Sequence, residues 1–180
     1  MAHSIELLLD PHSDAAIRAA WQALADAGLP SQVNVTSSTN RPHITLLAAE
    51  RISPDVDDVL RKLASRLPMD CVVGAHVVFG GPVFGGSRLS LARLIVPSTE
   101  LLALHAEVYR LALPHLTGQP FPHCRPGHWT AHATLGRRFT AVEIGAALTL
   151  TGGVAPELPV DAVALRRWDS DARTDHLLVG

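Results

Sequence analysis

The chain has 180 residues, 47% of them hydrophobic and 18% charged. That is enough apolar material for one good-sized core, or for two small lobes sharing one, and too much for a disordered or fibrous chain. The net charge of −2 leaves no basic surplus for gripping long nucleic acid through its phosphates, so any nucleic-acid contact is expected to be local, at an end or a single nucleotide. From the N-terminus, the apolar run SIELLLD ends at Asp10-Pro11 and predicts a first strand. Ser13 is then read as the cap of a helix to about Ala27, with Ile17, Trp21 and Leu24 on one face and Gly28 as its stop. HITLLA predicts a strand, and Ser53-Pro54 opens a helix to about Leu67. CVVGAHVVF reads as a strand, GGPVFGG as a hairpin turn, and RLSLARLIV as a further strand. Ser98 opens a third helix whose apolar face is Leu101, Leu104, Val108 and Leu111. An irregular Pro/Gly loop leads to the strand TAHATLG. Thr140 to Glu143 forms a capping box for a short helix, and PVDAVALRRW with Thr174 to Val179 closes the chain as a hairpin. This mixture of about four helices and about seven strands predicts an α+β or α/β layered domain.

Cys71 and Cys124 are too few for a disulfide framework and fit a reducing cytoplasm. MAHSIELLLDPHSD lacks the basic segment and the apolar length of a signal peptide, and no run approaches a membrane span. The expectation is a cytoplasmic monomer with no membrane partner and no long duplex partner.

One short pattern occurs twice. His43-Ile44-Thr45-Leu46 returns as His132-Ala133-Thr134-Leu135, about half a chain later. Side chains alternate along a strand, so His43 and Thr45 share one face while Ile44 and Leu46 take the other, and the second copy repeats this. Two such strands facing a cleft would present two imidazoles and two hydroxyls to one small ligand. Threonine hydroxyls donate to non-bridging phosphate oxygens. Displacement at phosphorus needs a base for the attacking group and an acid for the leaving oxygen, which two histidines titrating near neutrality supply. A single His-x-Thr is a weak signal; its recurrence in matching strand context carries the reading.

At these residues the sequence resembles the 2H phosphoesterase superfamily, in particular its 2′-5′ RNA ligase-like, RNA 2′,3′-cyclic phosphodiesterase branch. The resemblance extends over essentially the whole chain, through the strand at Arg88–Val96, the helix STELLALHAEVYRLA and the late strand LPVDAVALRRW. It implies an α+β, bilobal fold over residues 1–180, with two antiparallel sheets around a central cleft, helices outside and a pseudo-twofold relation. It also implies chemistry on a 2′,3′-cyclic or 2′-5′ phosphodiester without metal or other cofactor. His43 would then be the acid, His132 the base, and Thr45 and Thr134 the phosphate ligands. The mildly acidic, aromatic-poor composition departs from RNA-processing members that are more basic, and favours an RNA terminus, a nucleotide or a small cyclic phosphate as substrate.

Further candidates surround the motifs. Arg41 precedes the first, and Arg138 shares the second motif's face by strict alternation, whereas Arg137 points away. Either Arg41 or Arg138 could neutralise phosphate charge. Arg88 follows the glycine-rich turn. Trp129 and Phe84 are candidates for base stacking, set against an ordinary packing role. His115, His123, Cys124 and His128 crowd the loop before the second motif, but their spacing matches no familiar zinc pattern. His3, His12, His76, His105 and His176 read as surface or boundary residues.

Overall fold

A computed structural model describes residues 2–80, 82–83, 86–152 and 157–180. The first strand, β1 (His3–Leu9), is buried along its whole length. It runs directly into α1 (Pro11–Asp26). The cap of α1 is Asp10, not Ser13: the Asp10 carboxylate accepts the amides of His12 and Ser13, and the Ser13 hydroxyl also donates to it. An aspartate followed by proline at the first helical position outcompetes a serine one turn further in. The first-motif strand β2 (His43–Ala49) and the short β3 (Arg51–Ile52) follow. The next helix, α2 (Val56–Leu60), begins after Ser53-Pro54 and tightens into a 3₁₀ turn over Arg61–Arg66 instead of continuing as α-helix.

Two antiparallel pairs come next: β4 (Met69–Phe79), the ribbon β5 (Pro82–Val83) with β6 (Gly86–Ser87), and β7 (Leu89–Ile95). Ser98 caps α3 (Thr99–Ala112) as its sequence predicts. Then come β8 (Leu116–Thr117), the second-motif strand β9 (His132–Phe139), α4 (Ala141–Leu150) under its Thr140–Glu143 capping box, and the closing hairpin β10 (Leu158–Asp169) and β11 (Thr174–Val179).

Seven strands form one antiparallel sheet in the order β2-β1-β10-β4-β7-β9, with β11 also beside β10. Strand β10 is long enough to serve both halves. Its first residues, 158–162, pair with β4, and its later ones, up to Trp168, pair with β1. Each half therefore ends on a motif strand, β2 at one end of the order and β9 at the other. The sheet curls so that these two end strands pack against each other. Two covering helices are exchanged between halves: α1 follows β1 but packs on β9, and α3 follows β7 but packs on β2, while α4 stays on its own β7 and β9. The core runs through both, joining Ile5, Ile44 and Leu46 to Leu91, Ala133 and Leu135. Among the described residues, no helix is long and apolar enough to cross a membrane.

Candidate active site

The alternation expected of the two motifs is present. Ile44 and Leu46, and Ala133 and Leu135, are buried in the core, while His43, Thr45, His132 and Thr134 are half-buried on the opposite face. The two histidines are fixed in the same way. His43 Nδ1 lies 2.7 Å from the carbonyl oxygen of Arg41, and His132 Nδ1 lies 2.7 Å from that of Thr130. A carbonyl only accepts, so Nδ1 carries a hydrogen in both rings, and Nε2 is the nitrogen left to exchange a proton. The rings are close enough for the charge of one to affect the other: burial first, then the charges of Arg137, His43 and His123, hold His132 below the usual histidine range, against the opposing hydrogen bond to Thr130. Phe79 on β4 adds to that burial, its ring 4.6 Å from the His132 ring and tilted by 48°.

The surroundings of His43 differ. Its Nε2 is 3.7 Å from Oε1 of Glu6, whose side chain is only 6% exposed. Glu6 also accepts hydrogen bonds from Ser4 and Arg166. Burial pushes this carboxyl up, but the charges of His43 and Arg166 and both hydrogen bonds outweigh it, so its affinity for a proton falls below the ordinary value. Glu6 is thus an ionised carboxylate beside the first motif.

Both motif strands are held from their free edges. Trp129 donates its indole N–H to the carbonyl of Thr45 at 2.9 Å, and Trp21 donates to that of Thr134 at 2.9 Å. Each bond satisfies a carbonyl that an end strand would otherwise leave open, and blocks addition of another strand. Beyond Thr134, Gly136 lies under the carbonyl of Pro30; a Cβ there would come within 2.4 Å of that oxygen. Trp129 is stacked at 3.9 Å on His105, which donates through Nε2 to the carbonyl of Cys124. The packing role weighed for Trp129 is therefore present. His105 is 2% exposed and His3 is 3% exposed, so neither is the boundary residue its sequence context suggests.

The arginines are distributed differently from strict alternation. The pairing of β9 with β7 shifts between Leu91 and Ala92 and again between Leu89 and Ser90, and Arg138 has a φ of 73°. These irregularities change the alternation after Thr134, and Arg137 is the arginine whose charge reaches His132. Arg41 is exposed and contributes its main-chain carbonyl to His43. Arg88 is exposed at the start of β7. Phe84 lies outside the described residues. Glu6, Phe79 and Trp21 are the neighbours that the motif-based reading does not single out.

The loop cluster of His115, His123, Cys124 and His128 does not converge. Among the described residues, the donors that do come together are His3, Asp169 and Asp171. They line a cavity of about 450 Å³ with Arg51 and Thr117. His3 pairs with Ala49 whereas His43 pairs with Leu8, so this cavity lies at the other end of β1 and β2. Its donors are already engaged: Asp169 accepts the amides of Asp171 and Ala172, and Asp171 pairs with Arg51 at 3.0 Å.

Comparison with known proteins bears on the fold and the family. Two solved structures of Usb1 from Kluyveromyces marxianus share the fold. The one with uridine monophosphate has a TM-score of 0.53 at 11% identity, covering 98% of this chain and 96% of that one. The other has a TM-score of 0.51 at 13% identity, covering 98% and 97%. A search of curated protein sequences finds no match. The model of the 2′-5′ RNA ligase superfamily matches residues 9–172, a span that holds both His-x-Thr strands and the β10 strand joining their halves. By that match the chain belongs to the 2′-5′ RNA ligase superfamily, a branch of the 2H phosphoesterases.

Proposed function

We propose that the chain hydrolyses a phosphodiester at an RNA end or in a nucleotide, a 2′,3′-cyclic phosphate or a 2′-5′ linkage, by acid–base catalysis with two histidines. The observation that carries this reading is the matched anchoring of His43 and His132, each with Nδ1 hydrogen-bonded to the carbonyl two residues earlier and Nε2 left to react. Family membership supports a phosphoesterase. The Usb1 structure with uridine monophosphate adds support for a ligand of nucleotide size.

In this mechanism Thr45 and Thr134 donate to the non-bridging oxygens and hold the phosphorus between the imidazoles. His132 Nε2 takes a proton from water as the new oxygen–phosphorus bond forms. His43 Nε2 gives its proton to the leaving ribose oxygen as the old bond breaks. One water is consumed, and the two rings recover their starting states by exchange with solvent. The low proton affinity of His132 suits a base that must be neutral at the start. Ligation is the same path reversed, with the two roles exchanged. Each half of the sheet supplies one histidine, so the two lobes act as one unit.

The test is hydrolysis of a short RNA ending in a 2′,3′-cyclic phosphate, with EDTA present. Wild type is expected to turn over. His43→Ala and His132→Ala should each lose about 10²–10⁴-fold in kcat. The product isomer identifies which ribose oxygen leaves. Full activity in either folded variant overturns the reading, and loss of wild-type activity to EDTA points instead to a metal.

A further inference from the structure

The two motifs are alike in the strand and unlike in what lies beside them. Across the sheet from Thr45 stands Glu6 on β1, and across from Glu6 stands Arg166 on β10. The corresponding steps from Thr134 reach Ala92 on β7 and Val77 on β4. One half of the site therefore rests on a buried ion pair and the other on small apolar side chains. Glu6 and Arg166 side chains are 6% and 4% exposed. Arg166 is shared: it also contacts Asp175 at 2.9 Å and donates to the carbonyl of Thr39. Two carboxylates thus share one guanidinium, and of the two Glu6 is the one that reaches His43.

We propose that Glu6 is a positioning residue that keeps the proton on His43, and so makes the first-motif histidine the acid and His132 the base. This rests on the two-histidine reading above and adds to it the cause of the division of labour. The distance matters. At 3.7 Å the carboxylate stabilises an imidazolium through its charge, yet it is too far to capture the Nε2 proton in a hydrogen bond. That proton stays available to the leaving oxygen. The other charges near the pair act differently. His43, Arg137 and His123 all act on His132, where positive charge favours the neutral ring. Ser4, beside Glu6 on β1, holds the carboxylate by a hydrogen bond.

The experiment compares wild type with Glu6→Gln, which keeps the side-chain shape and removes the charge, and Glu6→Asp, which keeps the charge on a shorter arm. Ring protons of His43 and His132 are followed by NMR through a pH titration of the free protein, and kcat/KM for the cyclic-phosphate RNA is measured over the same range. In Glu6→Gln the loss of the carboxylate 3.7 Å from Nε2 should move the His43 midpoint down, with the His132 midpoint moving much less. The alkaline limb of kcat/KM should move down with it, with loss of rate at a pH on that limb, and Glu6→Asp should restore part of both. An unmoved His43 midpoint in folded Glu6→Gln, or a shift confined to His132, overturns the proposal. Should Glu6→Gln unfold because Arg166 is left unpaired, the double variant Glu6→Gln/Arg166→Met removes both charges and is read by the same two criteria. The titration needs no substrate, so a wild type that fails to cleave the RNA sinks the hydrolase reading while the histidine midpoints still decide the role of Glu6.

Discussion

His132 shows how an ordinary residue becomes a base by its location. Its ring is packed against Phe79 and partly shielded from water, and nearby positive charges add to the penalty on its own charge. The sign of the consequence is fixed. A base must start neutral, and a proton affinity below the ordinary value of 6.5 keeps it neutral further into acid. The acid limb of kcat/KM should therefore lie below pH 6.5, where an exposed histidine would place it. Phe79→Ala lets water reach the ring and relieves part of the burial. The limb should then rise, with loss of rate near pH 6 and little change near pH 8. A limb that stays in place in this variant would mean that the neighbouring charges, not Phe79, set the base. Much at this scale was readable from the motif itself, because His-x-Thr on a strand dictates which side chains share a face. Glu6 also left a trace, as the one charge inside SIELLL, but a motif search passes over it because its partners are 37 and 160 positions away in the chain.

At the scale of elements, the signals that held were those with a local physical cause. The Thr140–Glu143 box and the Ser98 cap are satisfied within one helical turn, and both form as expected. The errors arose where two local candidates competed or where pairing altered the count. Asp10 displaced Ser13 as a cap, and the irregular pairing of β9 with β7 broke the strict alternation by which Arg137 and Arg138 were placed on opposite faces. Trp129 shows where a local reading ends. Its indole is bound to a carbonyl 84 residues earlier, a contact that no local pattern encodes. This contact makes a prediction that separates packing from base stacking. Trp129→Phe keeps an aromatic face but removes the N–H that satisfies Thr45. It should cost about 1–3 kcal/mol in urea unfolding and lower kcat, because β2 loses its edge support. A ring whose only task was to stack on a base would leave stability unchanged on the same substitution.

For the whole molecule, the exchange of helices between halves is the governing feature. The polypeptide leaves one half of the sheet to cover the other, and then returns the same favour: α1 lies on β9 and α3 lies on β2. Each half covers its motif strand partly with a helix from the other, even though α4 stays on its own β7 and β9, and the two motif strands also pack on each other. Pseudo-repetition was legible from the recurring motif, but this crossing was not, since an amphipathic helix states which face is apolar and not which strand receives it. Such interleaving ties the stability of one half to the other. Trp21 provides the test, being 2% exposed on α1 and bound to the carbonyl of Thr134 in the far half. Trp21→Ala should destabilise by about 3–5 kcal/mol. Native-state hydrogen exchange should then show lost protection in β1 and β2 as well as in β7 and β9, by similar amounts, because the halves open together. Protection lost from β7 and β9 alone would mean that the halves unfold separately, and that the cleft between them is held by less than the shared core implies.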